Sequence, residues 1–373
     1  MEAEYSGEIM TLSMGPQHPS THGVLRLELK TDGEIVADAI PHIGYLHRCF
    51  EKHAENVEYP GVVPFVDRMD YCAAMNMELG YVLAIEKLLG IQINNRVRCL
   101  RIIMAELDRI ASHLIAAGTY GNDIGSFTPF MWCFRDRETI LDFFEETCGA
   151  RLLYNYNWVG GLMHDVKPGF EKRVIEFVDY FEPQVDNLNK LLSDNYIFIR
   201  RTANVGILTP ETAISYGVTG PNLRGSGVQF DVRRNEAYLG YEEFEFDVPV
   251  GKGEYGPVGS CWDRYMVRIR EVRESCKIIR QAVAKLTPGD VHESIPKRVK
   301  PPAGEIYMRT ECPRGELGYY IVSDGSTKPY RIKVKSPCFT VMSAFREASK
   351  GTMIADIIAI LGSFDIVLGE IDR

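Results

Sequence analysis

Two of the chain's eight histidines, His18 and His22, fall in one short segment, Met14-Gly15-Pro16-Gln17-His18-Pro19-Ser20-Thr21-His22-Gly23. Its glycines and prolines exclude regular helix and most of a strand, so the segment is a shaped loop. An imidazole titrates near neutral pH, and either histidine can place a donor, an acceptor or a transferable proton beside a ligand. The plainer alternative is that a loop histidine is solvated or caps a backbone group. A second candidate, Val66-Asp67-Arg68-Met69-Asp70-Tyr71-Cys72, alternates charged and apolar residues just before a helical pattern, where donors and acceptors can meet at a buried site. Against that, Asp67 and Asp70 at a helix start would simply complement the macrodipole, which is the preferred reading. A third, Gly118-Thr119-Tyr120-Gly121-Asn122-Asp123-Ile124-Gly125, reads as a glycine-rich break between helices, with Asn122-Asp123 as a turn. No Gly-Lys-Ser/Thr follows it, so it is not a phosphate loop. Gly251-Lys252-Gly253-Glu254-Tyr255-Gly256 does not open a helix after a strand and is assigned to a loop rather than a dinucleotide site.

These residues need elements to hold them. Val24 to Lys30 alternates apolar and polar, Thr31-Asp32-Gly33 turns the chain, and Glu34 to Ile40 completes a hairpin. From about Cys72 to Leu286 the period becomes helical, with main segments Cys72–Leu89, Arg96–Ala117, Asp136–Tyr154, Phe170–Ser193 and Ser260–Leu286. Apolar residues on several faces, as in Leu100, Ile103, Leu107 and Leu114, mark central helices. Thr209-Pro210-Glu211 starts a shorter helix that Gly217 ends. After the proline-rich 296–302 segment, strands return at Glu305–Thr310, Leu317–Ser323 and Tyr330–Lys335, with Asp324-Gly325 turning the chain before the last. The tail makes one apolar helix, Thr352–Leu361, and its end is too apolar to be free. The expected fold is α+β and mainly α: a central helical bundle with antiparallel β elements from both chain ends. It is read as a single domain over 1–373, with a β-rich part (1–70), a bundle (71–295) and a β/α part (296–373).

Composition narrows the function classes. With 373 residues, 45% hydrophobic and 25% charged, the chain can bury a sizeable core. A net charge of −9 argues against nucleic acid as a partner. The short basic stretch Lys297-Arg298-Val299-Lys300 reads as a solvated linker. Nine scattered cysteines without a Cys-x-x-Cys imply a reducing compartment and no self-contained metal site. The acidic start Met1-Glu2-Ala3-Glu4-Tyr5 lacks a secretory pattern, and no apolar run is long enough to cross a bilayer.

Taken together, the segments resemble the quinone-site subunit of respiratory complex I, the NADH:quinone oxidoreductase component lettered D. The likeness rests on Gly15-Pro16-Gln17-His18-Pro19-Ser20-Thr21-His22-Gly23, Gly44-Tyr45-Leu46-His47-Arg48-Cys49-Phe50-Glu51-Lys52 and Arg68-Met69-Asp70-Tyr71. It continues in Glu106-Leu107-Asp108-Arg109-Ile110-Ala111-Ser112-His113-Leu114 and the terminal Gly369-Glu370-Ile371-Asp372-Arg373, and so covers essentially the whole chain. The resemblance implies a fold like that of the large subunit of nickel–iron hydrogenases. It implies that His22 and Tyr71 face the quinone carbonyls at the deep end of a cavity, that Asp123 partners His22, and that His18, Arg48 and Arg68 bind nearby. Arg48 and Arg68 would lie toward an iron–sulfur cluster on a small neighbouring subunit, where their positive charge stabilises its reduced form.

Further implications concern the assembly. The resemblance implies a peripheral component on the cytoplasmic face of a bacterial inner membrane, or the matrix or stromal side in an organelle. Its partners would be the complex I components lettered B, C, H and I. Of these, B is small and bears the cluster, and H lies in the membrane and forms the quinone channel. NADH, FMN and the iron–sulfur clusters would be held by partners, and this chain would hold no metal. Leu153 stands near a position that is often histidine in the family and is thought to couple the cluster's potential to pH; leucine there favours menaquinone. Hydrogen oxidation is the rival enzymatic reading. Nickel would need two Cys-x-x-Cys pairs, whereas the corresponding places are Asp70 to Ala73 and Val367 to Glu370. Two more rivals are a ferredoxin- or deazaflavin-driven complex with the same quinone site, and a non-catalytic scaffold.

Overall fold

The computed structural model describes residues 9–296 and 298–373. The acidic start Met1–Tyr5 and Lys297 of the basic stretch lie outside them, while Val299 in that stretch is buried in an apolar cluster.

The centre is one long helix, Asn95–Asp123, which packs against the helices Phe127–Cys148 and Cys261–Ala284. The Asn94 side chain accepts a hydrogen bond from the Val97 N–H and starts it, a cap that contributes about 1 kcal/mol. The helix is buried on nearly every face, as the spread of its apolar residues required. It does not stop at Ala117: the glycine-rich stretch from Gly118 stays helical through Asp123, against the expected break and turn. The glycines here allow close approach. A β-carbon on Gly118 would come within 3.2 Å of Phe130 Cα and Cys133 Cβ, and one on Gly121 within 3.2 Å of Leu192. Spacing between helices, rather than a chain reversal, is what these glycines provide.

Other elements follow the sequence with shifted ends. The helix expected over Asp136–Tyr154 runs from Phe127 to Cys148 and ends at Gly149 in the left-handed conformation. The helix Phe170–Leu188 continues as a π turn, Asn189–Ser193. Thr209 caps the helix Pro210–Ser215, and Gly217 follows its end as expected.

At the N-terminal end the hairpin Arg26–Asp32 and Ile35–His42 forms, but Met10–Met14 joins it as an unexpected third antiparallel strand. Leu27, Leu29 and Thr31 face inward at every second position of the middle strand. At the C-terminal end the strands Gly304–Cys312, Gly315–Ser323 and Arg331–Lys335 form a second antiparallel sheet. Pro313 and Arg314 make the tight connection between its first two strands, which places Arg314 at a buried hairpin tip.

The tail holds three helices rather than one: Pro337–Ser349, Ile354–Phe364 and Leu368–Asp372. Its end is buried, as its apolar character required. The Asp372 carboxylate accepts hydrogen bonds from the Gly44 and Leu46 N–H groups at 2.8 and 2.7 Å, and the Arg48 N–H reaches the Arg373 carbonyl at 3.1 Å. The last two residues therefore fix the loop that carries Arg48.

Candidate functional site

The histidine loop contains a single 3-10 turn, Pro19–Thr21, with His18 at one end and His22 at the other. His18 is exposed, and its Nδ1 accepts the Ser20 N–H at 3.2 Å, the plain capping role. His22 sits in the left-handed region at φ 55°, a conformation that histidine adopts more readily than most residues. Gly23 follows it against Leu368, so close that a β-carbon would stand 2.8 Å from the leucine Cδ1. This path carries the His22 ring to the end of the long helix, where Nε2 lies 2.6 Å from Asp123 Oδ2. The two side chains are only 17% and 12% exposed. Burial by itself disfavours imidazolium, but the hydrogen bond and charge of Asp123, helped by Asp365, outweigh it and raise the His22 pKa.

Tyr71 lies in the turn before the helix Ala74–Leu89 and is 36% exposed, with no hydrogen bond from its hydroxyl to another described residue. Burial raises its phenol further, with Cys72 and Asp70 adding to the shift and Arg314 and Arg48 opposing it, so at neutral pH it remains a proton donor. Asp67 and Asp70 are not helix-start acids, since the first turn of the Ala74–Leu89 helix contains neither. Asp67 ends the short helix Val63–Asp67, and Asp70 is fully buried against Arg314 at 2.6 Å.

Arg314 joins the two halves of the site. Its guanidinium donates to Asp70 Oδ2, to Ser112 Oγ at 2.9 Å, to the Asp365 carbonyl at 3.0 Å and to Asp365 Oδ1 at 3.2 Å. Asp365 in turn stabilises the charged form of His22, and Asp70 precedes Tyr71. Neither Arg314 nor Asp365 stood out in the sequence. Pro313-Arg314-Gly315 reads as turn chemistry, and a turn arginine is ordinarily solvated.

Arg48 and Arg68 are both exposed, and Arg48 Nη2 donates to the Arg68 carbonyl at 2.6 Å. Arg68 holds the Pro64 carbonyl. Tyr71, Arg48, Arg68 and His18 are thus each accessible, whereas the His22–Asp123 pair is mostly buried. An apolar cleft of about 440 Å³, lined by Val63, Trp158 and Ile295 among others, includes none of these residues.

Asp70–Ala73 and Val367–Glu370 do come together: a β-carbon on Gly369 would meet the Met69 carbonyl oxygen, next to Asp70, at 2.7 Å. Their donors do not fit nickel. Asp70 is committed to Arg314, and Glu370 accepts from Ser336 Oγ at 2.9 Å. The pKa of the nearby Cys72 is pushed up to about 12 by burial, so the group stays a thiol. Among the described residues no cluster of histidine, cysteine and carboxylate groups has the makings of a metal site.

The family model for the 49 kDa subunit of respiratory-chain NADH dehydrogenase matches residues 123–301 and 292–373. The chain belongs to this family. The NADH-quinone oxidoreductase component lettered D from Chlorobium luteolum is 56% identical over all of this chain and 95% of its own length. Those from Chlorobium phaeovibrioides and Chlorobaculum parvum, of the same name, are 57% and 56% identical, again over the whole chain and 94% of their own lengths. As a 49 kDa-family member the chain is one component of a multi-subunit NADH-quinone oxidoreductase, and the rest of that complex supplies its partners. No helix among the described residues is long and apolar enough to cross a membrane.

Proposed function

We propose that this chain forms the quinone-reduction site of a proton-translocating NADH:quinone oxidoreductase, with His22 and Tyr71 as the groups that face the quinone headgroup. The observation that carries the reading is the His22–Asp123 pair, which keeps a cationic imidazole ready in a mostly buried place, on a chain that also offers a protonated phenol at Tyr71. Reduction of a quinone to a quinol consumes two electrons and two protons, one on each carbonyl oxygen. The Tyr71 hydroxyl and the His22 imidazolium can each donate a hydrogen bond to one oxygen and then its proton. Asp123 stabilises the imidazolium before transfer, and losing that charge changes the balance among Asp123, Asp365 and Arg314. That rearrangement is the reading's starting signal toward the membrane arm.

Electrons would arrive from an iron–sulfur cluster on a small adjoining partner, the component lettered B. Arg48 and Arg68, exposed near Tyr71 in the fold, supply positive charge on that side, and His18 borders the loop. The exposure of Tyr71 in the isolated chain suits a cavity whose remaining wall comes from neighbours, with the components lettered C, H and I as the other expected contacts. The chain would then sit peripherally on the cytoplasmic face of the membrane. Leucine at 153 favours a low-potential quinone such as menaquinone.

The test is quinol formation by the intact membrane complex carrying His22→Ala, with cluster reduction followed in parallel by EPR. The reading expects normal cluster reduction and quinol formation lowered at least tenfold, equivalent to about 1.4 kcal/mol of transition-state stabilisation. Unchanged quinol formation would overturn it.

A further inference from the structure

Asp67 and Glu78 form a second buried acidic pair, away from the His22–Asp123 pair. Asp67 ends a short helix and is 1% exposed; Glu78 lies inside the Ala74–Leu89 helix and is 0% exposed. One oxygen of each is held by the same stretch of backbone. The Asn155 N–H donates to Asp67 Oδ2 at 3.0 Å, while the Tyr156 and Asn157 N–H groups donate to Glu78 Oε2 at 2.9 and 2.7 Å. The other two oxygens, Asp67 Oδ1 and Glu78 Oε1, are buried with no donor reaching them. Three consecutive backbone N–H groups thus hold the two buried carboxyl groups side by side, and among the described residues neither acid has an ion-pair partner. Two ionised carboxylates buried side by side without a cation would repel each other strongly, and one proton between them removes that cost and gives the two free oxygens a hydrogen to share.

We propose that Asp67 and Glu78 hold a single shared proton and act as a positioning pair, latching the 155–157 segment to the turn that carries Arg68 and Tyr71. The proposal rests on the quinone-site reading for the role of Tyr71, but the proton itself does not. Asp67 directly precedes Arg68, and the Arg68 carbonyl is in turn gripped by Arg48. Motion of Asp67 is therefore passed to the Arg48–Arg68–Tyr71 surface.

The surroundings suit a neutral partner for one carboxylate. The charged or titratable groups acting with the pair are Arg68, which favours ionised Asp67, and the uncharged Cys148, Tyr154 and Tyr319. Burial raises the pKa of both acids, Asp67 to about 6 and Glu78 well above its ordinary value. With rising pH the shared proton is lost, two buried anions remain side by side, and the latch opens.

The experiment uses the intact complex with Glu78→Gln, Asp67→Asn and Glu78→Ala. Either amide can supply the hydrogen that the acid supplied, whereas alanine cannot. Infrared difference spectra between unaltered and substituted complexes should show the carbonyl stretch of a protonated carboxylic acid that disappears in both amide variants. Quinone reduction at neutral pH should be retained within about twofold in Glu78→Gln, whose alkaline limb moves up by about one pH unit, and should fall in Glu78→Ala. Absence of the carbonyl band, or an alkaline limb that does not move in Glu78→Gln, overturns the proposal. Should Glu78→Ala fail to assemble, the two amide variants still decide. The band does not depend on where quinone binds: unchanged His22→Ala activity sinks the quinone-site reading alone, and a missing band sinks the shared proton alone.

Discussion

Gly362, inside the Ile354–Phe364 helix, lies so close to Asp123 that a β-carbon there would stand 2.9 Å from Asp123 Oδ2, the oxygen that pairs with His22. The same β-carbon would meet Tyr120 Cδ2 at 2.7 Å. Tyr120 is fully packed, so it cannot yield cheaply, and the less deeply buried Asp123 side chain is the neighbour with room to shift. Gly362→Ala should cost about 1–3 kcal/mol from overpacking and displace Asp123 from His22. The expected outcome is an assembled complex with quinol formation reduced several-fold and lower thermal stability. Full activity in Gly362→Ala would show that the helix contact does not set the pair.

Asp123→Asn tests the charge without changing the shape. The folded-state His22 pKa lies above its ordinary 6.5, so the pair's stabilisation is fully present below that value and is lost as pH rises through the raised one. Removing the carboxylate leaves burial as the dominant influence and lowers the pKa. Activity should then fall most at neutral and alkaline pH, by ten- to a hundredfold if about 1.5–3 kcal/mol of charged hydrogen bond is lost, and recover toward acid. A pH–rate profile of the variant parallel to that of the unaltered complex would contradict this.

Arg314 is the only side chain that bridges the carboxylates of Asp70 and Asp365, among the hydrogen bonds of the described residues. Arg314→Met leaves the buried Asp70 without its cation and Asp365 with only the more distant Arg268 at 3.7 Å, and should cost about 3–5 kcal/mol. Burial already raises the Asp70 pKa, so the carboxylate's cost is absent below its ordinary 3.8 and grows as pH rises toward the raised value. The variant should lose incorporation into the complex more severely at alkaline than at acidic pH, measurable on native gels of membranes prepared across that range. Arg314→Lys should be intermediate, because an ammonium cannot reproduce the fork to both acids.

Much of this was legible in the residues. The N-terminal hairpin, the long helices and the C-terminal strands follow from periodicity, since a packed element must bury one face or all of them. His22 was singled out with His18, but spacing alone could not separate them; the structure gives one a carboxylate and the other a backbone cap. Gly118–Asp123 misled because glycine in sequence signals chain reversal and close helix approach alike. The difference lies in neighbours such as Leu192, which is remote in the chain.

The sequence by itself determined the element types, the lack of paired thiolates for nickel, and, through motifs spread over the whole chain, the family. Local hydrogen bonding and hydrophobic periodicity act over a few residues, and so can be read in order. Only the tertiary structure decided that Asp123 ends a helix rather than a turn, that Arg314 at a hairpin tip is buried between Asp70 and Asp365, and that Asp67 and Glu78 are buried together against the 155–157 backbone. The last two depend on the burial of charge and the first on close helix packing, and both are set by what packs over a residue from distant parts of the chain.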